Sequence, residues 1–241
     1  MSDFEDEIER LKREIAILEG KKNQIPTYSF SKISDSDLYS LVDIEENFED
    51  RVFNSWFNNQ IDISSEIEEF LIDLIEVNKN LLYSYSEEDL KIHFLSSLFL
   101  KVNFKSIENN LRDFYNEKIT YKTDKFILTG EADFLFAKGL KYSTKPYFFI
   151  QEFKKGKKNS DPEPQLLAEM ISGLEISNVN RFKGAYIIGA IWNFVILEKL
   201  GDNKYQYFVS ANFDSSKIDD LKSIYKNLMF IKREVLEKLE R

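Results

Sequence analysis

The sequence predicts a mixed α/β domain, on three observations. Apolar residues recur at helical spacing in separate stretches of the first hundred positions. Short apolar runs divided by Gly and Pro follow between 118 and 155, and again between 185 and 210. An amphipathic helix closes the chain from Ile218 to Arg241. At 241 residues with 43% hydrophobic content, the chain suits one large domain or one domain with an appendage.

Phe4, Ile8, Leu11, Ile15 and Leu18 follow a 4-3-4-3 spacing with Glu, Lys and Arg between them, which predicts an amphipathic helix with a narrow heptad seam within 1–24. Gly20 ends it and Pro26 marks the break. Two readings of the seam stand side by side. One is a short coiled coil that gives a homodimer or takes a partner protein, and the other is a helix docked on the protein's own body. Residues 25–83 read as a helical region. It opens as a polar and aromatic connection with short helical pieces, where Asp35, Ser36 and Asp37 signal turns or caps. Val52, Phe53, Trp56 and Phe57, and then Ile67, Phe70, Leu71, Leu74 and Ile75, keep helical spacing.

The α/β core is expected over 84–215. Ser86 is a natural N-cap, Glu87, Glu88 and Asp89 complement the helix dipole, and Leu90, Phe94, Leu95 and Leu98 form a buried face. Ile119–Tyr121, Phe126–Leu128, Ala132–Phe136 and Tyr147–Phe153 read as strands separated by Gly130, Gly139 and Pro146. Pro162 and Pro164 open a helix through Gln165 and Ile171. Ala185–Ala190, Phe194–Lys199 and Tyr205–Ser210 form a meander. In the last helix, within 216–241, Leu221, Tyr225, Leu228, Ile231 and Val235 share one side.

Composition narrows the chemistry. With no cysteine there are no disulfides, thiolate zinc sites or cysteine nucleophiles. A single histidine, His93, excludes His-rich metal sites and leaves oxygen ligands and hard cations such as Mg²⁺ or Mn²⁺. No run approaches the ~20 apolar residues of a membrane span, and the acidic N-terminal residues do not lead into an apolar stretch, so a cytoplasmic protein without a membrane partner is expected. The net charge of −9 argues against a general nucleic-acid coat. Against that balance, Lys154, Lys155, Lys157 and Lys158 crowd into five residues, a local patch able to hold phosphates.

Three charges stand inside the strand-like runs: Asp133, and then Glu152 and Lys154 in Glu152-Phe153-Lys154. Buried-looking charges are costly unless paired or bound to a metal. Two carboxylates and an ammonium that converge are the parts needed for metal-assisted phosphodiester hydrolysis. Alternation places Glu152 and Lys154 on one face of their strand, and Asp133 on a neighbouring strand would bring its carboxylate to the same ion.

These residues resemble the PD-(D/E)XK nuclease superfamily. Ser86-Glu87, Gly130-Glu131-Ala132-Asp133, Glu152-Phe153-Lys154 and Pro164-Gln165 occur in the order in which that superfamily carries its motifs. The resemblance covers roughly 84 to 210 and is nearest to the nuclease domains of type I restriction enzymes, whose following strand-turn-strand looks like Gly184 to Phe194. Ala132 stands where the family's name has proline. The resemblance implies a restriction-endonuclease-like core and a Mg²⁺-dependent (or Mn²⁺-dependent) nuclease, with DNA preferred over RNA and a role in defence against foreign DNA. It implies Asp133, Glu152, the main-chain carbonyl of Phe153 and Glu87 as metal ligands. Lys154 would activate the attacking water, Gln165 would position substrate or Lys154, and Lys155, Lys157 and Lys158 would contact nucleic acid.

Plainer readings stand beside these. Asp133, Glu152 and Lys154 also suit a cross-strand ion pair on an exposed sheet face. A first-turn acidic cap explains Glu87, Glu88 and Asp89 alike, and any of the three would serve as the helix carboxylate. The alternative function is a catalytically silent nuclease-like subunit that binds or assembles within a larger complex.

Overall fold

In the computed structural model the described residues are 7, 8, 10–12, 14, 15, 25–153 and 162–239, with the backbone alone for 150–153. They form a mixed sheet flanked by helices on both faces. The strands are β1 (Thr27–Ser29), β2 (Asp43–Glu46), β3 (Leu111–Lys122), β4 (Ile127–Lys138), β5 (Lys145–Phe153), β6 (Arg181–Ile188), β7 (Ile191–Gly201), β8 (Lys204–Val209) and β9 (Phe213–Asp214). Their order is β1-β4-β5-β6-β7-β8-β2, with β3 also on β4 and β9 also on β7. The pairs β1–β4, β5–β6 and β2–β8 are parallel, and the other described pairs are antiparallel.

Helices are numbered α1 (Asp35–Leu41), α2 (Ser65–Asn78), α3, α4 (Pro162–Ser177) and α5 (Ile218–Leu239). Here α3 is the continuous run of Glu87–Leu90, Lys91–Leu95 and Ser96–Val102, the middle piece being a π turn. One face of the sheet buries Phe134, Phe136, Phe148, Phe194 and Ile196 against α2, α3, α5 and Trp56. The other buries Leu135, Phe149, Phe182, Val195 and Leu197 against α4 and α1. Because both faces are covered, the central strands read as nearly unbroken apolar runs.

The stretch 25–83 departs from its helical expectation. It carries α1 and α2, but also β1 and β2, which join the sheet of the core instead of standing outside it. Strands of three and four residues hold too few side chains to show a period of two, and their pairing partners lie far along the chain. In the N-terminal helix the described residues are helical and leave Ile8, Leu11 and Ile15 exposed. Phe4, Leu18 and Gly20 lie outside the described residues. No helix among the described residues is long and apolar enough to cross a membrane.

The crossover from β5 to β6 runs through α4, whose seating is set by glycines. Leu166 and Met170 lie over Gly184 of β6, and Gly173 lies against Phe149 of β5 and Phe182 of β6. A Cβ on Gly173 would come within 2.5 Å of the buried Phe149 ring. Gly173→Ala gains at most about 1 kcal/mol in helix propensity. Overpacking a filled core costs about 1–3 kcal/mol, and the rigid ring makes that term the larger. The variant is therefore expected to be less stable by about 1–2 kcal/mol in urea denaturation, whereas unchanged stability would show that α4 shifts freely on the sheet.

Candidate functional site

Asp133 sits at a break in β4. One edge of β4 pairs with β3 from Ile127↔Lys122 to Lys138↔Leu111. The other edge is shared: β1 takes Ile127 to Thr129, and β5 takes Phe134 to Lys138. Residues 130–133 therefore lie in the fork between β1 and β5. Alternation also slips here. Leu128 and Ala132 face the same core as Leu135 and Ala137, while Phe134 and Phe136 face the opposite one. Asn116, which the register sets opposite Asp133, takes a left-handed backbone with φ of 51°, a conformation asparagine tolerates better than most residues.

That slip lets Asp133 meet charges brought by helices from both faces. From α3, the Lys91 ammonium lies 3.5 Å from Asp133 Oδ1, 3.1 Å from Glu87 Oε1 and 4.0 Å from Glu88 Oε1. The side chains of Lys91, Glu87 and Asp133 are mostly buried, while that of Glu88 is exposed. Asp89 closes a capping box with Ser86. Glu87 is thus nearer than Glu88 to the cation that Asp133 also meets. The π turn begins at Lys91, a distortion that recurs at functional sites.

From α4 come Gln165 and Glu169, one turn apart. Gln165 Nε2 donates to Glu169 Oε1 at 3.3 Å. Glu169 is fully buried, and its Oε2 has no hydrogen-bond partner among the described residues. Burial first, then the nearby Asp133 charge, push the Glu169 carboxyl well above the usual carboxylate range, with only the Gln165 hydrogen bond opposing them. Leaving such an atom unsatisfied costs about 1–3 kcal/mol.

A cleft of about 250 Å³ opens beside Asp133. Ile92, Leu95 and Phe99 of α3 form one wall, Tyr115 and Phe134 of the sheet the other, with Lys91 and Asp133 also lining it. The Tyr115 phenol stays neutral, burial first and then Asp113 raising its pKa, and its ring meets Phe134 edge-on.

Glu152 lies in β5 opposite Ile187 of β6, and Phe153 opposite Ile188. Ile150, two residues before Glu152, pairs with Phe134, the residue after Asp133. The Asp133 and Glu152 backbones are thus on adjacent strands and close in register. The side chains of Glu152 and Phe153, and all of Lys154, Lys155, Lys157 and Lys158, lie outside the described residues. Among the described residues, no group of three acidic or histidine side chains is gathered to hold a metal. The structure brings together Asp133 and Glu87 around Lys91, and Gln165 with Glu169 near Asp133.

Sequence reading missed Lys91 and Glu169. The signal for Glu169 was a glutamate four residues after Gln165, inside a helix otherwise apolar on nearly every side. Lys91 follows Glu87 by four residues, which reads as an ordinary helical ion pair. Comparison of the sequence with family models and with curated proteins gives no match.

The Glu169 shift sets a pH dependence. At low pH the carboxyl is neutral in the folded and unfolded chain alike. Above the ordinary carboxylate pKa the unfolded chain releases the proton while the folded one retains it, so folding stability falls as pH rises. In chelator, Glu169→Gln is expected to melt higher than the parent at about pH 8, by on the order of 1–3 kcal/mol, with a smaller gain at about pH 5. Equal gains at both pH values would place the Glu169 carboxyl in the ordinary range.

Proposed function

We propose that the chain is a Mg²⁺-dependent nuclease of the PD-(D/E)XK type with a restriction-endonuclease-like core, and that DNA is its substrate. The observation that carries this reading is the meeting of Asp133 and Glu87 at one buried cation position, in a sheet fork beside the strand that bears Glu152-Phe153-Lys154. Those side chains offer oxygen donors alone, which suits a hard divalent ion. Asp133, Glu152, Glu87 and the Phe153 carbonyl would hold Mg²⁺ or Mn²⁺. Bound there, the ion would supply Lewis acidity and a more acidic water.

The chain's own residues supply the rest. Lys154, two positions beyond Glu152, would hold the attacking water and offset negative charge as it develops on the phosphate. Gln165 at the start of α4 would orient substrate or Lys154. Lys155, Lys157 and Lys158 follow directly and would take flanking phosphates, giving an affinity that weakens with salt. The preference for DNA, and a role in defence against foreign DNA, rest on the resemblance to restriction-type domains.

A second reading draws on Lys91. Its ammonium already neutralises Glu87 and Asp133, which suits a nuclease-like subunit that binds or assembles without turnover. One assay separates the two. Linear and supercoiled DNA, and RNA, are incubated with the protein and Mg²⁺ or Mn²⁺, beside Asp133→Ala and Lys154→Ala. The nuclease reading expects cleavage by the parent and a loss of about 10²-fold or more in each variant. Cleavage that persists in both variants, or is absent from the parent, sinks it.

A further inference from the structure

We propose that Glu169 is a cation ligand contributed by α4, which with Asp133 binds a hard divalent ion from the α4 side of the sheet. This deepens the nuclease reading and rests on it for the ion's task, though binding is measurable without nucleic acid.

The three acids of α4 show why Glu169 stands apart. Glu163 accepts a hydrogen bond from Tyr207 Oη at 2.9 Å. Glu175 pairs with Lys199 at 2.8 Å and accepts from Tyr205 Oη at 2.6 Å. Glu169 is the most deeply buried of them, yet one of its oxygens has no partner among the described residues. A proton on that oxygen would neutralise the carboxyl without giving it a hydrogen-bond partner among the described residues. A ligand would supply one.

Position and chemistry identify the ligand. Glu169 is close enough to feel the Asp133 charge, and Asp133 stands in the fork where β4 passes from β1 to β5. A buried carboxylate near Asp133 selects a cation, and oxygen donors select a hard one. Gln165 completes the arrangement. Its amide holds Oε1 and leaves Oε2 to the ion, the part played by the hydrogen-bond partners that orient metal-binding carboxylates.

The test titrates Mn²⁺ into the full chain without nucleic acid, reading free Mn²⁺ by electron paramagnetic resonance and the Mn²⁺-induced rise in melting temperature. Parent, Asp133→Asn, Glu152→Ala and the near-isosteric Glu169→Gln are compared. Because Glu169→Gln removes a buried carboxylate, its fold is checked by its own melting curve. Glu169→Asp, which keeps the charge but shortens its reach, is the second variant. The expected result is Mn²⁺ binding by the parent that weakens about tenfold or more in Glu169→Gln and Glu169→Asp, with a matching loss of the thermal shift. If Asp133→Asn and Glu152→Ala lose binding while both Glu169 variants match the parent, the assignment of Glu169 falls and the nuclease reading stands. If the Glu169 variants lose binding but the parent cleaves no nucleic acid, the ligand assignment stands and the nuclease reading falls. A parent that binds no Mn²⁺ overturns both.

Discussion

The site depends on how β4 divides one of its edges. Along the other edge it keeps an antiparallel ladder with β3, while on this one it pairs first with β1 and then with β5. A strand cannot pass between two partners without a stretch that belongs to neither. Gly130 to Asp133 fill that stretch, and the slip in alternation beside Asn116 is how the backbone accommodates it. Asp133 enters the middle of the doubly covered sheet at such a point.

Two helices then converge on the gap from opposite sides. Phe99 of α3 packs on Phe134, which presents Glu87 and Lys91 from one face. Close seating of α4 on Gly173 and Gly184 presents Gln165 and Glu169 from the other. The aromatic core and the charged site are therefore coupled by construction. The same contacts that bury the phenylalanines fix the distances among the charges, and a loosened helix would cost geometry at the site before it cost the fold.

Much of this was legible in the sequence because it is local. The Ser86 cap, the proline-opened α4 and the buried stripe of α5 each depend on spacing within a dozen residues, whereas the two strands expected on either side of Gly130 are one, β4, which runs through it, and Pro146 lies inside β5 instead of before it. What was not legible depends on distant partners. β1 and β2 are strands only because β4 and β8 receive them. Glu169 reads as one more polar residue until α4 is seen to be buried on both flanks. The slip at Asp133 leaves no mark in the hydrophobic pattern, since Ala132, Phe134 and Leu135 would suit either phase. That Lys91 lies 3.1 Å from Glu87 and 4.0 Å from Glu88 is a matter of side-chain placement that spacing alone does not show.

The segment from β1 to β2 has a consequence for the order of assembly. β1 pairs with residues 127–129 and β2 with residues 204–207, so the two ends of this short stretch wait for partners made much later. Tyr39 and Asn203 tie the same stretch to the far side of the sheet. During synthesis its backbone donors and acceptors stay open until nearly the whole sheet has emerged. Pairings this remote in sequence are slow to close. The residues that leave the ribosome early are thus among the last to be built in, and a nascent chain stalled before β8 would hold an unmatched edge, a surface that chaperones bind and that like chains can join.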